Sequence, residues 1–149
     1  MSNITEGGQV DVSDQFTGLM KFALDHGIEL IRDKGALLPF TVSVEKGQLT
    51  ITAIPLAPVE AVESAKRLVA GLASDTEAYA IVYIGDVLLS GQPYQTVVVE
   101  GAERGLPHGF RIGQPFEAKG SPPKLELIGE AVNLGLCEQL ISQSVRGYQ

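Results

Sequence analysis

The stretch from Glu100 to Arg111 holds the densest set of reactive side chains: Glu100, Glu103, Arg104, His108 and Arg111. A carboxylate beside an imidazole can orient and tune it. Two guanidinium groups can grip a carboxylate or a phosphate through paired hydrogen bonds. Glu100, Arg104, His108 and Arg111 are therefore the expected ligand-binding residues, provided that the fold brings them together. Their spacing matches no specific mechanism, and a charged hairpin loop is the plainer alternative.

Other chemistry is sparse. His26 falls at the edge of an apolar helical stripe and is expected to be structural. Cys137, the only cysteine, reads as a small buried hydrophobe rather than a nucleophile, since a nucleophile needs a base held beside it. One Cys and two His without a ligand motif argue against a metal site. Gly101, Gly105 and Gly109 match neither GxGxxG nor GxxxxGK[ST], and Lys119-Gly120-Ser121 has the wrong order for a phosphate loop. No catalytic residue, metal ligand or cofactor is expected.

The elements that must position these residues follow from periodicity. Ser13 is a suitable cap for a helix in which Phe16, Leu19, Met20, Ala23, Gly27, Ile28 and Ile31 recur at helical spacing, with Gly35 as its stop. Phe22 falls off that stripe, beside Glu29 and Asp33. It is either a scattered surface aromatic or a contact with another chain. Segments 37–44 and 48–54 read as a β-hairpin turning at Glu45-Lys46-Gly47. Pro58 opens a second helix with the buried stripe Ala61, Val62, Ala65, Leu68, Val69 and Leu72, and Glu63 is spaced to pair with Arg67.

From Ala78 to Glu117 short β-favouring runs are cut by Gly, Asp and Pro, which predicts an antiparallel meander. Turns are expected at Gly85-Asp86, at 90–93 and at 101–107. Segment 124–128 alternates as a last strand, with a helix from Pro123 as its competitor, and 136–141 has the look of a short helix. Residues 1–12 and 142–149 are expected to be tails around a single domain, 13–141. Helix, hairpin, helix, meander is an α+β order: an antiparallel sheet carrying two main helices, α-β-β-α-β-β-β-β and then strand or helix.

One pattern bears on partners. Tyr79, Ile81 and Tyr83 alternate with Ala80, Val82 and Ile84, and Val97 and Val99 oppose Val98, so both sheet faces are apolar and both need cover. Two helices on one face would leave the second face to another subunit. A homodimer burying Val97, Val98 and Val99, with Phe22 at its rim, is the expected assembly.

The 149 residues suffice for one buried core. Eighteen acidic against eleven basic residues give a net charge of −7, which argues against nucleic acid and anionic membrane as partners. A single cysteine, an amino terminus without a leader pattern and no apolar run near ~20 residues point to the cytoplasm. The segments RDKGALLPF, YAIVYIG and VVVEGAERG resemble small bacterial α+β proteins of uncharacterised function. That resemblance implies a fold and no activity. The leading expectation is a non-enzymatic binding or assembly module. A binder or enzyme for an anionic small molecule and an acidic accessory protein are the alternatives.

Overall fold

Ser13 starts the first helix by two kinds of contact. Its hydroxyl accepts from Phe16 N–H at 3.0 Å, capping a free donor of the first turn. Its own N–H and hydroxyl donate to the Glu103 carboxylate at 2.8 and 2.6 Å, which ties the helix start to a distant strand. The helix α1 runs Asp14–Lys34 and stops at Gly35, whose φ of 73° is left-handed and whose N–H returns to Ile31 O. Both ends are those expected from the sequence.

The computed structural model describes residues 13–56, 58–72, 75–121 and 124–141. The two segments expected to be tails lie outside these residues. The remaining elements are β1 Phe40–Glu45, β2 Gln48–Ala53, α2 Pro58–Ala70, β3 Thr76–Leu89, β4 Gln92–Glu103, β5 Gly109–Lys119, β6 Lys124–Leu127 and β7 Val132–Cys137. The class is α+β and the sheet is antiparallel throughout. Its order is β2-β1-β3-β4-β5-β6, with β7 pairing the other half of β5.

Lys46 and Gly47 have φ of 53° and 75°, the left-handed pair of a tight two-residue hairpin turn, and they close β1 onto β2. Gly85-Asp86 does not turn. Strand β3 runs through both, with Gly85 opposite Thr96 and Asp86 opposite Gln95. The turn falls instead at Ser90-Gly91, both at positive φ, closing on the Leu89–Gln92 pair. A Gly-Asp pair permits a turn but does not force one, and the full length of β4 rewards an unbroken partner. Leu136 and Cys137 finish β7 rather than opening a helix. Glu63 and Arg67 are not joined in an ion pair; among the described residues the i, i+4 pair that closes is Lys21–Asp25 on α1, at 2.9 Å.

The two helices lie on opposite faces, which corrects the expectation that they share one. On the first face α1 packs Phe16, Met20, Ala23 and Ile28 against Val42, Ala80, Val82, Val97 and Val99. Gly101 lets the helix come close: a Cβ there would stand 2.7 Å from Met20 Sδ and 2.5 Å from Tyr79 O. On the second face α2 packs Ala61, Ala65 and Val69 against Tyr79, Ile81 and Ala102. The chain changes side at the sheet border. Strand β2 is an edge, so the segment leaving it passes beneath, and Ile54 is already buried in the second cluster.

This arrangement removes the basis for Val97, Val98 and Val99 as contacts between subunits. Val97 and Val99 lie fully buried under α1, and Val98, facing the other way, is only 2% exposed within the single chain. No described helix is long and apolar enough to cross a membrane.

Candidate functional site

The four residues expected to form one ligand site do not meet. Strand alternation sends Glu100 and Arg111 to the α2 face, where they stand directly opposite each other on β4 and β5. Arg111 Nε donates to Glu100 Oε2 at 3.2 Å, and the Tyr83 hydroxyl donates to the same oxygen. Glu100 is thus a buried carboxylate whose charge is met by a neighbouring cation and a phenol. Arg104 works elsewhere. Its Nε donates to Thr76 O at 2.8 Å and its Nη1 to Ile141 O at 3.3 Å, clasping the start of β3 to the segment after β7. His108 is exposed and lines a cleft on the α1 face. Sequence spacing grouped them; the sheet distributes them over two faces.

Cys137 Sγ lies on the α2 face near Gly109. Burial, and then the negative charge of Glu100, push its thiol up to about 11. It is neutral near pH 7, which fits a small hydrophobe and not a nucleophile. Among the described residues no three His, Cys, Asp or Glu side chains converge as a metal site.

The feature with the most capacity to bind is on the first face. Helix α1 lies over β3 and β4, and the far strands extend past it. Between them runs a groove of about 1030 Å³. Met20, Leu24 and Ile28 form its helix wall, at i, i+4 and i+8. Phe110 and Ile112 of β5 form its floor, with Phe16 packed on Phe110 at a ring separation of 6.0 Å. Leu127 and Leu136 form the opposite rim, and both are exposed. Lys21, Asp25, His108 and Glu130 supply polar groups of both signs around the mouth.

One buried polar side chain lines this groove. Gln114 donates from Nε2 to the carbonyls of Pro115, Ile128 and Gly129 at 3.0, 3.3 and 3.2 Å. Three carbonyl acceptors around one amide atom identify it as the nitrogen. No described residue donates to Oε1, so the amide offers an acceptor beside apolar walls.

Sequence reasoning missed the groove. Its signal was faint but present: Leu24 extends Met20 and Ile28 into a second stripe beside the core stripe, and Phe110, Ile112 and Leu136 are apolar on strands that no third helix covers among the described residues.

No protein-family model, curated protein or solved structure matches the chain. The functional reading therefore rests on the site.

Proposed function

We propose that this protein is a non-enzymatic binding module whose groove between α1 and β5–β7 holds an elongated, largely apolar ligand carrying a hydrogen-bond donor. The observation that carries this reading is the groove itself. Its volume of about 1030 Å³ is at the upper end of ligand sites, roughly 300–1,000 Å³. Such sites are mostly apolar with a few placed polar groups, and Gln114 Oε1 is the placed group here. Affinity would come from burying apolar area, about 0.8 kcal/mol per CH₂ withdrawn from water. Specificity would come from the donor that meets Gln114, because a ligand without one leaves that acceptor unpaired. The separation of Glu100 and Arg111 from His108 and Arg104 speaks against the anionic-ligand alternative in its four-residue form.

N-phenyl-1-naphthylamine, an apolar fluorophore with one N–H donor, tests the reading. Saturable fluorescence enhancement is expected with the wild type. It should be lost in Ala131→Trp, which fills the groove from an exposed position. A wild type with no saturable enhancement, or an Ala131→Trp protein that binds as well, would overturn the proposal.

A further inference from the structure

The other end of the sheet carries a second surface. Strand β2 is the sheet border, so one of its two edges pairs with no strand among the described residues. The direction of its backbone groups follows from one hydrogen bond. Ile54 N–H donates to Pro39 O at 2.8 Å, so Pro39 and Ile54 belong to a hydrogen-bonded pair. Hydrogen-bonded and non-hydrogen-bonded pairs alternate along an antiparallel ladder. Phe40–Ala53, Val42–Ile51 and Val44–Leu49 are therefore the non-hydrogen-bonded pairs. The N–H and C=O groups of Leu49, Ile51 and Ala53 point away from β1, outward along the free edge.

Edges are normally protected by charge, proline, bulges or brevity. The opposite border has several of these: β6 has four residues and carries Lys124 and Glu126, and the β5–β7 pairing is irregular at Arg111/Ile112. Strand β2 has none. Its sequence, Gln-Leu-Thr-Ile-Thr-Ala, is uncharged, and it pairs β1 without a register shift. Leu49 and Ile51 are 45% and 43% exposed, on the same face as α1, since their partners Val44 and Val42 belong to the α1 core.

We propose that two copies of this chain join through β2, antiparallel, about a two-fold axis that passes through Thr50. Three conditions limit the register to two-fold axes through a residue of β2, and contact between the two large exposed side chains chooses among them. An axis through Thr50 sets Leu49 against the partner subunit's Ile51 twice, whereas one through Ile51 would set Leu49 against the partner subunit's Ala53. A residue must face its partner on the same side of the joint sheet, or apolar side chains would meet threonines. The outward N–H and C=O groups must find each other. The contact must be self-complementary. Pairing Leu49 with Ile51 of the partner subunit, and Ile51 with Leu49 of the partner subunit, meets all three. Each of those pairs exchanges both backbone hydrogen bonds. Thr50 then faces Thr50 of the partner subunit as a close, non-hydrogen-bonded pair.

This axis is perpendicular to the sheet, so both α1 helices stay on one side. Phe22 lies on the flank of α1 that faces β1: its ring stacks on His26 at 5.7 Å, and His26 meets Phe40 edge-on at 5.3 Å. Phe22 is 39% exposed, on the same side of the sheet as Leu49 and Ile51. The groove is at the far end of the sheet and remains open.

Sedimentation at roughly 100 μM, where mass action favours association, reads the assembly. The wild type should be a dimer and Ile51→Lys a monomer, and their melting temperatures should agree once the protein is diluted until the wild type has dissociated. The register is read by cysteines placed in a Cys137→Ala background. Across a non-hydrogen-bonded pair the Cα atoms are about 4.5 Å apart, within disulfide reach. Thr50→Cys should therefore give a covalent dimer on mild oxidation. Thr52→Cys, several residues from its own copy, should not. A monomeric wild type at that concentration overturns the proposal, as does an Ile51→Lys protein that still dimerises. Thr52→Cys cross-linking as readily as Thr50→Cys overturns the register.

Discussion

Arg111 Nε stands 3.2 Å from Glu100 Oε2, and the two residues are direct cross-strand partners on β4 and β5. The carboxylate is buried while the guanidinium is about one-third exposed, so the pair is anchored from the inside. Losing the cation would strand a negative charge beneath the sheet surface.

Arg111→Met is expected to destabilise the fold by roughly 1–3 kcal/mol, because a buried charged acceptor loses its partner. Adding Glu100→Gln should recover part of that loss, since a neutral amide costs less to bury. Urea unfolding of the two single variants and the double variant measures this. A double variant as unstable as the sum of the singles would mean that the two side chains are not coupled.

Stability should fall on the alkaline side. Burial raises the Tyr79 phenol above its usual range. Burial, reinforced by the hydrogen bond to Glu100, does the same to Tyr83. The Cys137 thiol is raised from 9.0 to about 11, by burial first. In each case the folded chain holds a proton that the unfolded chain gives up sooner. The stability gained is whole below the unfolded values and drains away as pH climbs from about 9 through the folded values. Melting temperatures from pH 7 to 11 should hold and then decline. Alkylation of Cys137 by iodoacetamide should stay slow at pH 8 and rise toward pH 11; a break near 9 would contradict the burial argument.

Ser13 invites a test in which general propensity and local electrostatics disagree. Ser13→Ala should cost roughly 1–2 kcal/mol through loss of the helix cap. Aspartate is ordinarily as good a cap as serine, yet Ser13→Asp would set a carboxylate against the Glu103 carboxylate that Ser13 now contacts at 2.6 Å. Thermal unfolding should therefore rank Ser13→Asp well below the wild type at pH 7. A variant as stable as the wild type would mean that the Ser13–Glu103 tie contributes nothing.

Local order was legible in the residues. Ser13 and Gly35 bound α1 because a cap needs only a side-chain oxygen and a stop needs only a residue that tolerates left-handed backbone. The hairpin at Lys46-Gly47, the α1 stripe, most of the α2 stripe and the apolar character of both sheet faces are properties of neighbours within a few positions; Leu68, expected in the buried α2 stripe, is instead 42% exposed. Gly85-Asp86 marks the limit of such reading, since whether a permissive pair turns depends on the strand opposite.

What only the tertiary structure decided is which distant residues became neighbours. Inter-strand register sets those contacts, and a shift by one residue exchanges the faces of a strand. Register placed Glu100 against Arg111 beneath Tyr83, sent His108 to the α1 groove, and enclosed Val97 and Val99. The side taken by α2 was likewise invisible in its own stripe. It was decided where the chain leaves the border strand and passes beneath the sheet, to the face where Tyr79, Ile81 and Ala102 offer apolar surface that α1 does not reach.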